Sequence, residues 1–275
     1  MEAQSLIPSR MHEVFGTAEP VALVTGSVKP RVGRGVARLL RTAGFRIVLH
    51  GHHEPETSQQ PAPESDAPLG CDLTVYGPVE KEEAVRRWVE QIVGRMGRID
   101  CVVHTAAIWH PIPLEKLTAA DYDQMYRINA LGTALVNQHF GLRMCQQESG
   151  GALINIGDWA ICRPYRDFAA YFPSKAAVDS ITKTMAVELG QRNPRVRVNA
   201  ILPGPVKLRD DLPESRRQQI LAESLLKRIG TPEDVGWAAL YLALSPFVTG
   251  ASVPVDGGRT IYAGPAADPI AHPDV

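Results

Sequence analysis

The sequence predicts a single α/β domain built on a doubly wound parallel sheet. Three observations carry that prediction. Short apolar runs without polar/apolar alternation recur at Val21–Thr25, Arg46–His50, Cys101–His104, Ala152–Ile156 and Val196–Ile201. Strands covered by helices on both faces have that character, whereas half-exposed antiparallel strands alternate. Helical segments separate these runs, and that alternation selects a parallel sheet. A glycine-broken loop follows the first run and opens a helix, as a strand–loop–helix unit requires.

The elements follow in order. Residues 1–19 show little periodicity and read as an arm. Val21-Ala-Leu-Val-Thr25 is a short buried strand, and after the loop Val36 to Leu40 continues as a helix that Gly44 ends. Arg46-Ile-Val-Leu-His50 is the second strand. Glu54 to Pro68 holds four prolines among Glu56, Gln59, Gln60, Glu64 and Asp66, which predicts an irregular loop. Ala84, Val85, Trp88, Val89, Ile92, Val93 and Met96 recur at helical spacing. The remaining strands are each reached through a helical segment. The domain is expected over residues 20–260, with a Pro-rich tail at 261–275 and no repeat or interdomain linker.

A chain of 275 residues can bury the core of one large domain. Its net charge of −1 gives no global field to attract nucleic acid or an anionic membrane. Cys71, Cys101, Cys145 and Cys162 form no CxxC pair and no metal-ligand spacing, so reduced thiols and no metal are expected. No apolar run approaches the ~20 residues of a membrane span. Glu2, Arg10, His12 and Glu13 interrupt any signal-peptide core. A soluble cytoplasmic protein is the expectation.

Thr25-Gly-Ser-Val-Lys-Pro-Arg-Val-Gly33-Arg-Gly35 lies where a βαβ unit holds a dinucleotide. Glycines let the backbone approach a pyrophosphate, and the helix N-terminus offers free N–H donors. An NAD-preferring site usually carries Asp or Glu at the end of the second strand. Here that place reads His50-Gly-His-His53, with Lys29, Arg31 and Arg34 in the preceding loop. Cationic and hydrogen-bonding groups without an acid favour a 2′-phosphate, hence NADPH. Three solvent-exposed histidines are the alternative.

Tyr171 and Lys175 stand four apart at the head of an apolar helix, and Asp158 lies thirteen residues before Tyr171. At that spacing the ammonium and the phenol share one helix face. A neighbouring cation is expected to pull the tyrosine pKa down toward the working pH.

Together these residues resemble the short-chain dehydrogenase/reductase family over about residues 20–260, which implies a Rossmann-type fold. Matching features are Thr25-Gly26 with Gly33, Asp72, Asn129, Tyr171 with Lys175, Val196-Arg-Val-Asn-Ala200, Pro203-Gly204 and Val255-Asp-Gly-Gly258. Three departures are informative. Arg31 stands at the family's middle glycine, with one extra residue between Gly26 and Gly33. His104-Thr-Ala-Ala107 replaces Asn-Asn-Ala-Gly, and Asp158 replaces the catalytic serine. These resemble the pteridine reductase branch, including the bacterial dihydromonapterin reductases. That branch carries a loop Arg, a His-x-His after the second strand, the Asp, and an aromatic residue at the place of Trp109.

The resemblance implies reduction of a dihydropterin by NADPH. Tyr171, Lys175, Asp158 and Asn129 would form the catalytic set. Gly26, Lys29, Arg31, Gly33, His50, His52, His53, Asp72, Ala106, Lys175, Pro203 and Gly204 would hold the cofactor. Trp109, Arg31, Asp158 and Tyr171 would hold the pterin, with Trp109 stacking on it. Dihydromonapterin or dihydrobiopterin fits better than dihydrofolate. Blander roles stand beside these: a satisfied core amide for Asn129, a capping carboxylate for Asp158, simple packing for Trp109, a solvated cation for Arg31. An ionised Asp158 accepts hydrogen bonds only, so it suits the N–H edge of a pterin and repels a nascent carbonyl oxyanion. The rivals are a ketoreductase acting on a small carbonyl or acyl thioester, and a nucleotide-sensing protein without turnover. A homotetramer is the family's habit.

Overall fold

A computed structural model of the chain describes residues 3–54, 70–208, 211–262 and 264, with backbone alone at 3–5. Helix α1 (Ala3–Phe15) precedes β1 (Val21–Thr25), α2 (Val32–Ala43), β2 (Arg46–Gly51) and β3 (Leu73–Tyr76). Next come α3 (Glu82–Met96), β4 (Cys101–His104), α4 (Ala119–Met125) and α5 (Gly132–Cys145). The last elements are β5 (Gly151–Ile156), α6 (Tyr171–Gly190), β6 (Val196–Pro203), α7 (Glu214–Ala222), α8 (Pro232–Leu244) and β7 (Ser252–Val255).

The strands form one parallel sheet in the order β3-β2-β1-β4-β5-β6-β7. Alternate residues of β1 show why its sequence lacks alternation. Val21 and Leu23 enter the layer packed with Trp88, Ile92, Phe140 and Leu189, while Ala22 and Val24 enter the layer packed with Leu40, Phe45, Val235 and Leu242. Both faces of the strand are therefore apolar. Strand order reverses between β1 and β4, and a parallel sheet opens a crevice outside the carboxyl ends of its strands at that point.

The predicted strands all appear, and Gly44 caps α2 with φ 110°, a left-handed value that a glycine adopts without strain. Two expectations need correction. The segment read as an arm is a helix: Met11 and Phe15 are buried against α2 and α8, and Arg10 Nε donates to Leu244 O at 3.0 Å. Its apolar face is Ile7, Met11, Val14 and Phe15, a helical spacing diluted by polar neighbours and Pro8. Helix α2 also starts earlier than expected, so Gly33 and Gly35 lie inside it. The expected loop at 54–68, apart from Glu54, and the tail from 265 onward lie outside the described residues.

Candidate active site

A cleft of about 1260 Å³ runs along the carboxyl ends of the strands, from Gly26, Lys29 and Arg31 at one end to Arg216 and Glu223 at the other. At the first end the β1–α2 loop lies flat against the exit of β4. A Cβ on Gly33 would sit 2.4 Å from Thr105 Oγ1, and one on Gly26 would sit 3.0 Å from Ala106 Cα. Thr25 Oγ1 ties the two strands by accepting the Thr105 and Ala106 N–H groups at 3.0 and 3.1 Å. Lys29, Arg31, His52 and His53 line this end, as do Ala106, Pro203 and Gly204. These residues fit a dinucleotide, because the backbone is approachable only where side chains are missing and cations flank it.

His50 is a strut of that loop. Its Nδ1 accepts the Gly26 N–H at 3.0 Å, which leaves Nε2–H to donate to Gly77 O at 2.9 Å. Burial pushes its pKa down to about 4, so the ring is neutral and both nitrogens are engaged. The expectation that His50 meets a phosphate is corrected accordingly. His52 and His53 are exposed, with ring centroids 4.1 Å apart. Asp72 is misplaced in the sequence reading: it precedes β3 and so lies at the amino end of the sheet, away from the cleft. There its Oδ2 accepts the Ile47 N–H at 2.8 Å and Arg41 Nη1 at 2.6 Å. An acid that the sequence reading missed, Glu80, lines the cleft with Oε2 buried and unpartnered.

The residues expected to react stand at the middle. Tyr171 opens α6, and its hydroxyl donates to Asp158 Oδ2 at 2.8 Å. Asp158 caps the 3-10 turn Trp159–Ile161, its Oδ1 accepting the Ala160 N–H at 2.8 Å. Capping and contact with Tyr171 are thus combined in one carboxylate. One helical turn further, Lys175 Nζ donates to Ile156 O at 2.8 Å. Burial pushes the lysine down to about 8, against the pull of Asp158. Burial also raises the Asp158 carboxyl above its ordinary value. The Tyr171 phenol is held well above 10 by burial and then by Asp158. This reverses the expected lowering by Lys175. The ammonium donates its hydrogen bond to a backbone carbonyl, and a phenol that donates to a carboxylate keeps its proton.

Asn129 sits behind the cleft wall, in a π-helical turn (Tyr126–Leu131) between α4 and α5. Its Oδ1 accepts the Ile108 N–H at 2.9 Å, and its Nδ2 donates to Ile108 O and Ser174 Oγ, both at 3.0 Å. It is a satisfied buried amide that fixes the residue before Trp109 to α6, and it lies outside the lining of the cleft. Trp109 lines the cleft, 54% exposed, and stacks on Phe168 at 5.7 Å and 24°. Arg31 N-caps α2 in extended conformation and lines the cleft. At the far end Trp159, Arg163, Arg216, Glu223 and Arg259 complete the lining. The sequence reading missed these, because they come from three separate segments that only the fold brings together. Among the described residues no group of His, Cys, Asp and Glu could hold a metal, and no helix is long and apolar enough to cross a membrane.

A family profile described as enoyl-(acyl carrier protein) reductase matches residues 29–260. The chain belongs to the short-chain dehydrogenase/reductase family, whose members are oxidoreductases using a nicotinamide cofactor. Among its relatives is the short chain dehydrogenase/reductase astE of Aspergillus oryzae, 31% identical over 90% of this chain and 97% of the relative. The 3-oxoacyl-(acyl-carrier-protein) reductase FabG of Thermotoga maritima is 30% identical over 88% of this chain and 98% of the relative. A solved short chain dehydrogenase from Bacillus anthracis is 27% identical with TM-score 0.77, covering 88% of this chain and 97% of that one.

Proposed function

We propose that this oxidoreductase is an NADPH-dependent reductase of a dihydropterin, yielding the tetrahydropterin. The observation that carries the reading is the Tyr171–Asp158 hydrogen bond of 2.8 Å, which sets a carboxylate at the reacting centre. Carbonyl reduction calls for a second donor there, whereas an ionised carboxylate only accepts. A pterin ring offers N–H and amino donors to it, and its C=N bond needs one proton on nitrogen after hydride reaches carbon.

Bound reduced nicotinamide would supply that hydride. Gly26, Gly33, Ala106, Pro203 and Gly204 would receive the dinucleotide on bare backbone, with Lys29, Arg31, His52 and His53 beside its 2′-phosphate. Asp158 would hold the N–H edge of the substrate while Tyr171 passes its proton to the ring nitrogen. A nitrogen anion left by hydride addition is basic enough to take a proton from a weak phenol acid. The Lys175 ammonium, one helical turn away, would stabilise the phenolate left on Tyr171 until a solvent proton restores it, and Trp109 with Phe168 would wall the flat ring.

The raised carboxyl of Asp158 supports a second reading. Protonated, it would donate like the family's serine, and the FabG relative is named for reducing an oxoacyl thioester. NADPH oxidation with dihydromonapterin, dihydrobiopterin, dihydrofolate and an acetoacetyl thioester, with Asp158→Ser in parallel, separates the two. Pterin turnover lost in the variant is expected. Thioester turnover alone, unchanged or improved by serine, would sink the pterin reading. Cofactor binding without turnover of any of them would return the nucleotide-sensing alternative.

A homotetramer is proposed from the family's habit. Exposed Leu142 and Val187 on α5 and α6, and Trp237 and Tyr241 on α8, give it apolar faces. Light scattering returning a monomer would remove it.

A further inference from the structure

The end of the cleft remote from the glycine loop carries more positive charge than it neutralises. Arg163, Arg216 and Arg259 line it with one carboxylate, Glu223. Glu223 is already spent: Oε2 accepts Arg259 Nη2 at 2.5 Å and Oε1 accepts Gln219 Nε2 at 3.0 Å. Among the described residues Arg163 and Arg216 have no acidic partner. Arg216 Nη1 donates to Gln219 Oε1 at 2.5 Å. Arg163 Nη1 donates to the carbonyls of Arg259 and Tyr262.

Arg163 and Arg259 are also held in place, which separates them from ordinary solvated cations, while Arg216 stands exposed at the rim. The Arg163 and Arg259 guanidinium carbons lie 5.4 and 4.6 Å from the centroid of the Trp159 ring. Trp159 itself is buried on the turn that Asp158 caps. Arg259 is 6% exposed, and its Nη1 and Nη2 donate to Ile220 O at 2.9 Å and Glu223 Oε2 at 2.5 Å, which fixes the guanidinium in the cleft wall. Pre-fixed guanidiniums lose little freedom on binding an anion, and their fork geometry matches carboxylate or phosphate oxygens.

We propose that this end of the cleft is an anion subsite: the substrate carries a carboxylate or phosphate on the arm attached to its reducible ring, received by Arg163 and Arg216 beside Arg259. The position of the ring rests on the pterin reading above, within which the subsite reverses the expected order and favours dihydrofolate over the neutral dihydromonapterin and dihydrobiopterin; the subsite itself does not rest on that reading. Arginine side chains here would set which member of a substrate class is turned over, leaving the hydride and proton steps to the middle of the cleft.

The test compares a neutral and an anionic member of two substrate classes. Dihydrobiopterin is set against dihydrofolate, and the acetoacetyl thioester of N-acetylcysteamine against that of coenzyme A. The readout is the anionic-to-neutral ratio of kcat/KM for the wild type, Arg163→Gln, Arg216→Gln and Arg163→Lys. The wild-type ratio is expected to exceed about ten in whichever class is reduced, and to fall at least about fivefold in each Gln variant. Arg163→Lys, which keeps the charge, should retain most of it. A ratio near one in the wild type, or equal loss for both members in the Gln variants, would overturn the subsite. Discrimination confined to the thioesters would support the subsite and sink the pterin reading. Carboxylate preference without phosphate preference, or the reverse, identifies the anion.

Discussion

The two ends of the cleft are built by different means. The cofactor end is made of backbone: glycines too tightly packed to carry a Cβ, amide groups gathered by Thr25, and a neutral His50 buttressing the loop. The far end, proposed to take the substrate, is made of side chains, with Trp159, Phe168 and Tyr165 forming walls and three arginines at the rim. Backbone construction tolerates almost no change, whereas side-chain construction lets one fold take many substrates. The lesson is that specificity at the first end should fail through sterics, and at the second through charge and shape.

The largest effect is expected between the two ends. Tyr171→Phe removes the hydroxyl that donates to Asp158 and nothing else from the cleft. Loss of a positioned proton donor costs on the order of 100- to 10,000-fold in rate. Turnover should fall by that factor with KM and cofactor affinity within about threefold, as steady-state kinetics and fluorescence titration would show. A fall of less than about tenfold would place the proton donor elsewhere. The next largest effect breaks the cofactor end alone. Gly33→Ala would drive a methyl to 2.4 Å from Thr105 Oγ1 and 3.1 Å from Thr25 O. Overpacking of this kind costs about 1–3 kcal/mol and here displaces the phosphate loop. Cofactor dissociation constants should rise about tenfold or more, with thermal unfolding lowered. Unchanged cofactor affinity would show that the loop yields.

Acid should loosen the cofactor end in a defined window. His50 has a folded pKa of about 4 against 6.5, so between those values the unfolded chain binds more protons and stability rises with pH. Falling pH therefore removes stability progressively below about 6.5, reaching about 3 kcal/mol from this group near pH 4. His104, pushed down to about 3 by burial, acts in the same direction. Urea midpoints measured from pH 7 to pH 4 on the wild type and His50→Asn should converge as the variant loses part of the slope. Parallel slopes would mean that His50 is not neutral in the folded state.

Much of this was legible from the sequence because it depends on local pattern. Fully apolar strands report a two-sided sheet, and Gly26, Gly33, Tyr171, Lys175 and Asp158 keep a spacing that the fold converts directly into a site. What was not legible depends on long-range geometry. Asp72 lies just before a strand, and only strand direction decides that this is the wrong end of the sheet. His50 looks like a phosphate partner until β3 brings Gly77 O to its other nitrogen. The sign of the Tyr171 shift is set by burial and then by Asp158, neither of which the Tyr-to-Lys spacing contains. Arg163, Arg216 and Arg259 come together only when the turn after β5, α7 and the segment after β7 meet.

The smallest expected effect sharpens the comparison at the cofactor end. Lys29 and Arg31 line it on the loop before α2, where a 2′-phosphate would give them a partner and an unphosphorylated ribose would not. Both reach the cleft from its solvent side, and exposed charge pairs contribute only about 0.2–1 kcal/mol each. Lys29→Met and Arg31→Met should therefore each lower the NADPH-to-NADH ratio of kcat/KM by roughly two- to fivefold. The loss should shrink in high salt, because screening acts on exposed charges first. NADH kinetics should hold within twofold, since backbone, not charge, receives the rest of the dinucleotide. If both cofactors weaken equally, these cations serve the shared pyrophosphate. The preference would then have to come from His52 and His53, whose replacement by alanine is the same experiment one strand further along.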